Sequence, residues 1–152
     1  MHDFKLFPEL PNSLMNEEYF NSPHKQITEN FMATVVKVHD GDTVTLQWDE
    51  RDFNFPLRIN SIDSPELNVR GGHEARDYLK TFIEGALVEI IINPKERVEK
   101  WGRLLGDIVF GGFTISENMI DMGHAVPFED RHQTEFMNID KEWNTKKWFK
   151  DQ

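Results

Sequence analysis

The stretch ATVVKVHDGDTVTLQW, residues 33–48, is the clearest structural signal in the chain. β-Branched residues dominate on both sides of the polar segment HDGD at residues 39–42, and such runs around an Asp-Gly pair are typical of a β-hairpin. A third run, residues 53–62, alternates partly between apolar and polar residues and stops shortly before Pro65. The sequence therefore predicts a hairpin followed directly by a third strand.

The elements predicted after the third strand complete a barrel. Apolar residues at helical spacing, followed by Gly85 as a C-cap, predict a helix after Gly71-Gly72. This helix covers residues 73–84, and the remaining predicted elements are strands over 88–92 and 104–110 and a short helix over 116–122. Five strands with a helix between the third and the fourth is the order of an OB-fold. We therefore predict an α+β, mainly β, fold: a five-stranded OB-fold Greek-key barrel with two to three α-helices.

Composition along the chain indicates three segments. Residues 1–31 contain three prolines and no sustained periodicity, which predicts an irregular N-terminal extension outside the main fold, with one short helical turn near residues 16–20. Residues 32–130 are predicted to form the barrel domain. Residues 131–152 space their apolar side chains loosely like a helix, which predicts a C-terminal helical tail that packs on the domain or extends it.

Charge and composition limit the function. The formal net charge of −10 points away from a protein that coats nucleic acid, because such binding rests on a broad basic surface. Acids outnumber bases over residues 1–57 and 104–130, whereas residues 58–103 are balanced. Any phosphate binding is therefore expected to be local, built from a few arginines and a cation. The absence of cysteine excludes disulfides, thiol catalysis and cysteine-ligated zinc.

Targeting signals are also lacking. No stretch approaches the roughly eighteen consecutive apolar residues of a membrane span, and residues 1–5 do not show the basic-then-apolar order of a signal peptide. We therefore expect a cytoplasmic or intracellular protein that does not enter a membrane.

Acidic residues follow two of the predicted strands. Asp40 and Asp42 lie in the first turn, and Asp63 and Glu66 lie just past the third strand. Hard cations such as calcium bind several oxygen ligands, and loops at strand ends can bring distant carboxylates together. For Asp40-Gly41, a purely structural interpretation as a hairpin turn stays open beside this one.

Two arginines occupy strand positions. Arg58 lies inside the third apolar run, and Arg103 precedes the run that begins at residue 104. Each could be only the partner of a carboxylate, and this interpretation also stays open. However, a guanidinium can bind phosphate oxygens bidentately and stabilise the extra charge of a pentacoordinate transition state. A pair of arginines near several acids therefore suits phosphodiester cleavage.

Three sequence blocks resemble, in order and spacing, the signature blocks of the staphylococcal nuclease (thermonuclease) family. They are VHDGDTV at residues 38–44, LRINSIDSPE at 57–66 and KWGR at 100–103, with GHEA at 72–75 opening the intervening helix. The resemblance runs from about residue 33 to residue 126. It implies an OB-fold endonuclease that depends on calcium and hydrolyses phosphodiester bonds of DNA, RNA or both.

The resemblance also implies a role for individual residues. Two carboxylates and a main-chain carbonyl would bind calcium, and these belong to Asp42, Asp63 and Ser64. Glu66 would act as a general base or orient the attacking water, and Arg58 and Arg103 would hold the scissile phosphate. None of these side chains is missing from the chain.

Departures from the family pattern leave other functions open. Ser64 and Trp101 replace the usual Thr and Tyr, and residues 126–130 lack the lysine and tyrosines of the nucleotide-binding edge, so base recognition is expected to differ. One alternative is a catalytically inactive OB-fold module that binds nucleic acid or protein. Another is an adaptor whose acidic surface or N-terminal extension contacts a protein partner. Retention of both metal carboxylates and both arginines favours the nuclease.

Overall fold

The computed structural model describes residues 2–99 and 102–130; the predicted helical tail at residues 131–152 and Trp101 lie outside them. The strands are β1 (Phe31–Val38), β2 (Thr43–Gln47), β3 (Phe55–Ile59), β4 (Ile62–Asp63), β5 (Leu87–Ile91), β6 (Leu104–Phe110), β7 (Phe113–Thr114) and β8 (Val126–Pro127). The helices are α1 (Met15–Glu18), α2 (Gly72–Ile83) and α3 (Ile115–Asp121). None of these helices of the described residues is long and apolar enough to span a bilayer.

Five of the strands close into a barrel. Antiparallel neighbours follow one another in the order β3-β2-β1-β5-β6, and parallel pairing of β3 with β6 closes the ring. In that parallel register Leu57 lies opposite Leu104, and Arg58 lies opposite Leu105. The predicted fold, a mainly β OB-fold Greek-key barrel with helices, is confirmed.

Alternation along the strands decides which side chains face the core. Phe55, Leu57 and Ile59 of β3 are buried, whereas Pro56 and Arg58 point to the outer surface. Burial of each large apolar side chain contributes about 1.5–3 kcal/mol. The outward residues of β3 are therefore fixed in position by the apolar residues between them.

The predicted third strand, residues 53–62, is broken into two, and the prediction of one continuous strand was wrong. A turn at Asn60-Ser61 separates β3 from β4, and β4 leaves the barrel to pair with β8. The Arg58 guanidinium donates hydrogen bonds to the carbonyls of Ile59 and Ile62 on the two sides of this turn. A side chain thus holds a chain reversal that apolar periodicity does not reveal.

The N-terminal extension packs on the barrel, so the expectation that it lies outside the main fold was wrong. It forms a short helical segment, as predicted, in which 3₁₀ turns flank α1. Leu10 and Ile27 are buried, and Ile27 belongs to the barrel core. From the loop between β5 and β6, Arg97 donates hydrogen bonds to the carbonyls of Ile27 at 2.5 Å and Leu10 at 3.0 Å.

Glu9 joins the extension to the barrel through a buried ion network. Its carboxylate pairs with Arg51 and, at 2.6 Å, with Arg97, and all three residues are less than 10% exposed. The Arg51 guanidinium also lies over the Phe55 ring, 4.6 Å from its centroid. Burial lowers the pKa of Arg97, and the charge of Glu9 opposes this shift. Glu9 can supply the counter-charge of both buried guanidinium groups only while the extension is docked.

We predict that Glu9→Gln lowers the free energy of unfolding by about 3 kcal/mol or more, because it leaves two buried guanidinium groups without their counter-charge. Chemical denaturation measures this loss. Glu29→Gln is the matched control, since Glu29 lies in the same extension but is exposed, and its effect should stay within about 0.5 kcal/mol. Equal stability of the two variants would contradict the proposed role of the network.

Candidate functional site

The turn between β1 and β2 lies directly against the segment that follows β4. The Asp42 carboxylate accepts a hydrogen bond from the Ser64 backbone N–H at 3.1 Å. The Asp40 carboxylate accepts one from the Asp42 backbone N–H at 3.0 Å, which fixes the turn internally. A Cβ added to Gly41 would lie 2.7 Å from both Cβ and Oγ of Ser64. Only glycine allows this approach of turn to segment.

A turn at residues 66–69 and the start of helix α2 hold the same segment. The Val69 N–H donates a hydrogen bond to the Glu66 carbonyl at 3.0 Å, and a Cβ on Gly72 would overlap that carbonyl and lie 2.8 Å from the Leu67 Cα. The Glu66 side chain itself is exposed. The segment therefore presents Glu66 to solvent from a fixed backbone.

Asp63 and Asp42 converge on one guanidinium. Pairing of β4 with β8 places Asp63 opposite Val126. Nη2 of Arg58 lies 3.3 Å from Oδ2 of Asp42 and 3.4 Å from Oδ1 of Asp63. Residues that are 21 positions apart in sequence thus share a single positive group, and Arg58 is the partner of both carboxylates in this structure.

Arg103 lies beside the same cluster. Its guanidinium pairs with Glu99 and donates a hydrogen bond to Oγ1 of Thr43 at 3.3 Å, and Thr43 lies opposite Arg58 in the pairing of β2 with β3. The pKa of Arg103 is raised, mainly by its hydrogen bond to Glu99 and further by the charges of Asp42 and Asp40. Both predicted phosphate-binding arginines therefore lie next to the acidic turn.

Asp40 belongs to this cluster, although the resemblance gives it no role. Burial, followed by the negative charge of Asp42 and more weakly that of Glu66, raises the pKa of Asp40 to about 7. Its position two residues before Asp42 is the sequence signal for it, and Glu99, which orients Arg103, has no comparable signal. Asp40 is one of the strand-end carboxylates that the sequence already indicates, and the structure adds Glu99 to the residues predicted from sequence.

The donor atoms fit a hard cation. Within residues 2–99 and 102–130, no three His, Cys, Asp or Glu side chains are grouped so that they could hold a metal ion by themselves. A cation would instead use the carboxylates of Asp42 and Asp63 with the main-chain oxygen of Ser64, and water or substrate would complete the shell. This all-oxygen set suits calcium. The buried Ser64 hydroxyl has no hydrogen-bond partner among the described residues, so it is not needed to hold the segment.

Fold and site together define an OB-fold barrel that groups two carboxylates and two arginines on one part of its surface. The sequence model of the family described as "Staphylococcal nuclease homologue" matches residues 56–148, more than half of the chain. The chain belongs to this family, as the signature blocks predicted. The match includes Arg58, Glu66 and Arg103, whereas Asp42 lies before its first residue.

Curated relatives carry nuclease names. Staphylococcal-like nuclease CAN1 of Arabidopsis thaliana is 34% identical over 80 residues, which are 51% of this chain and 24% of the relative. Two proteins of Oryza sativa subsp. japonica, probable staphylococcal-like nucleases CAN3 and CAN2, are each 35% identical over 75 residues, or 49% of this chain. The chain thus matches about a quarter or less of the length of these relatives.

We predict that Gly41→Ala destabilises the protein by about 1–3 kcal/mol, because its Cβ would force Ser64 away from the turn. Thermal or chemical unfolding measures the loss. The matched double variant Gly41→Ala with Ser64→Gly removes two of the three atoms that the new Cβ would crowd, leaving the Ala75 Cβ at 3.0 Å, and should recover part of the loss. Equal stability of Gly41→Ala and the parent chain would contradict the claim that close packing on Ser64 requires glycine at position 41.

Proposed function

We propose that this chain is a calcium-dependent nuclease that hydrolyses phosphodiester bonds of DNA, RNA or both. The observation that carries the proposal is the convergence of Asp42 and Asp63 on Arg58, with Arg103 adjacent. Membership of the staphylococcal nuclease homologue family and the names of the relatives support it. Because the chain matches about a quarter or less of the length of these relatives, activity is the property to test.

Calcium would be held by Asp42, Asp63 and the carbonyl of Ser64. When bound, it would supply a positive charge that neutralises the carboxylates and polarises a phosphate oxygen. Pro65 supports the Ser64 carbonyl, because proline fixes its own backbone angle and disfavours helix at the preceding residue. The hydrogen bond from Ser64 N–H to Asp42 keeps the two ligand segments together.

The two arginines would bind the scissile phosphate. Arg58 lies on the outward face of β3 and Arg103 at the start of β6, both next to Thr43. Each guanidinium is already anchored, Arg58 by main-chain carbonyls and Arg103 by Glu99. Anchored donors stabilise the developing charge without much reorganisation.

Glu66 would take the proton of the attacking water or orient that water. Its carbonyl accepts the Val69 N–H and lies against Gly72 at the start of α2, while its side chain is exposed and can approach a water beside the phosphate. A general base of this kind typically contributes about 10²–10⁴-fold to the rate.

The first experiment is a gel assay. Purified protein is incubated with plasmid DNA, single-stranded DNA and RNA side by side, in millimolar calcium or in excess chelator. Cleavage in calcium that chelator abolishes is expected, and the three substrates show which nucleic acid is preferred. Binding without cleavage would favour the alternative function, an inactive binding module. One observation supports that alternative: both arginines already form ion pairs with carboxylates in this structure.

The prediction that calcium is required can be tested at Asp42 and Asp63. Asp63→Asn and Asp42→Asn should each abolish most calcium-dependent cleavage, because an amide is a weak ligand for a hard cation. Both variants should stay folded, since asparagine keeps an oxygen that can accept a hydrogen bond. Asp121→Asn, at the end of α3, is the control and should cleave normally. Undiminished cleavage by the parent chain in excess chelator would contradict the metal mechanism.

The arginines should act mainly in the transition state. Arg58→Ala or Arg103→Ala should lower turnover by roughly 100-fold or more, and lysine should rescue poorly because it lacks the bidentate fork. Arg76→Ala is the control, since Arg76 pairs with the neighbouring Asp77 on α2. Steady-state kinetics with unfolding curves separates catalysis from folding, and near-normal turnover in both alanine variants would leave only a structural role.

Substitutions of Glu66 and Ser64 should have different effects on turnover. Glu66→Gln should cut turnover by roughly 100-fold or more while calcium still binds, because an amide cannot accept the proton. Ser64→Ala should keep most activity, since its hydroxyl has no hydrogen-bond partner among the described residues and the carbonyl remains. Titration calorimetry with calcium accompanies the kinetics. Loss of calcium binding in Glu66→Gln, or equal damage from both changes, would overturn this division of roles.

A further inference from the structure

A cleft between the N-terminal extension and the barrel opens beside the candidate site. It has a volume of about 650 Å³, within the range of about 300–1,000 Å³ that is typical of small-molecule sites. We call it the N-terminal cleft, and its lining includes Phe4, Lys5 and His24 from the extension and Phe53, Pro56 and Arg103 from the barrel. The predicted site residues other than Arg103 do not line it.

Aromatic rings form one wall of the N-terminal cleft. The Phe4 and His24 rings meet edge to face at 6.0 Å, and those of His24 and Phe53 at 4.9 Å. Phe53 also lies 5.3 Å from the Arg51 guanidinium, which Glu9 holds in place. The buried ion network therefore fixes this wall.

Polar groups complement the rings. Lys5 is exposed and Arg103 half-buried, so both can present positive charge to the N-terminal cleft. Asn54 and Asp52 also line it, and an amide beside a carboxylate can bind the polar edge of a base. Stacking surfaces together with cations and a polar edge are the features that bind single-stranded nucleic acid.

The N-terminal cleft and the candidate site lie on the same side of the barrel surface, and Arg103 borders both. Pro56 and Arg58 share the outward face of β3, and two residues along a strand span about 7 Å. Across the sheet, Thr45 lies opposite Pro56, and Thr43 lies opposite Arg58 and contacts Arg103. A strand whose phosphate lies at the arginines therefore has its next nucleotide at the mouth of the N-terminal cleft.

We propose that the N-terminal cleft binds one unpaired nucleotide of the substrate strand, next to the phosphate held at the candidate site. Its base stacks on the aromatic wall, with Phe4 as the outer ring, and Lys5 contacts a flanking phosphate. A duplex cannot enter without unstacking, so the site selects single-stranded segments. The proposal rests on the proposed function for the position of the scissile phosphate, but binding in the cleft can be measured separately from cleavage.

The test measures binding in the Glu66→Gln background, in which cleavage of the probe should be slower by roughly 100-fold or more. Fluorescence anisotropy follows a labelled single-stranded octathymidylate in millimolar calcium over a range of salt concentrations. Phe4→Leu keeps an apolar side chain but removes the ring, and it should weaken binding about 10-fold. Lys5→Gln should lower the slope of log affinity against log salt by roughly 0.7, the value for one phosphate contact on a single strand.

Matched variants separate stacking from folding. Phe4→Tyr keeps the ring and should bind like the background protein. Phe20→Ala removes a 91% exposed ring of the same extension away from the cleft, and Lys80→Gln removes an exposed lysine of α2. Both should leave affinity and salt slope unchanged, and unfolding midpoints are measured for every variant.

Two results would overturn the proposal. One is no measurable octamer binding, and the other is equal binding by Phe4→Leu, Phe4→Tyr and Phe20→Ala. Failure of the proposed function has a different signature, because the chain with Glu66 intact would then bind the octamer, with dependence on Phe4 and Lys5, but would not cut it in calcium. Cleavage with no effect of Phe4 or Lys5 on binding would uphold the nuclease and reject the cleft.

Discussion

The candidate site depends on the contact between Gly41 and Ser64. With no side chain at Gly41, the first turn of the barrel can approach the segment after β4 closely enough for the Asp42 carboxylate to accept the Ser64 N–H. The same contact sets the distance between Asp42 and Asp63, because Asp63 is the residue before Ser64. A metal site built from two separate loops needs such a fixed contact, since carboxylates repel each other when no cation is bound.

Counter-charges explain why this acidic cluster is compatible with folding. Arg58 lies between Asp42 and Asp63, and its main-chain contacts to Ile59 and Ile62 tie it to the turn that carries Asp63. The Arg58 guanidinium neutralises two carboxylates and also holds the backbone, so it can contribute to stability as well as to chemistry. Loss of activity in an arginine variant therefore has meaning only beside a measurement of its stability.

Much of the fold follows from local sequence, because β1, β2 and β5 are rich in β-branched residues, and glycines and polar turns separate the strands. Apolar periodicity did not predict the break after Ile59, since the hydrogen bonds of Arg58 hold it. It also misplaced the extension, which docks through Glu9 on Arg51 and Arg97, partners 42 and 88 residues away in sequence. Contacts of that range leave no periodic signal.

The site was predicted from a resemblance rather than from periodicity, and the structure brings Asp42, Asp63 and Arg58 together. The calcium and the catalytic roles remain proposals. The most direct measurement is the anomalous difference density of crystals grown with calcium chloride. We predict a peak about 2.3–2.6 Å from the Asp42 and Asp63 carboxylates and the Ser64 carbonyl. No peak at these oxygens, with Arg58 still bridging both carboxylates, would contradict the proposed metal site.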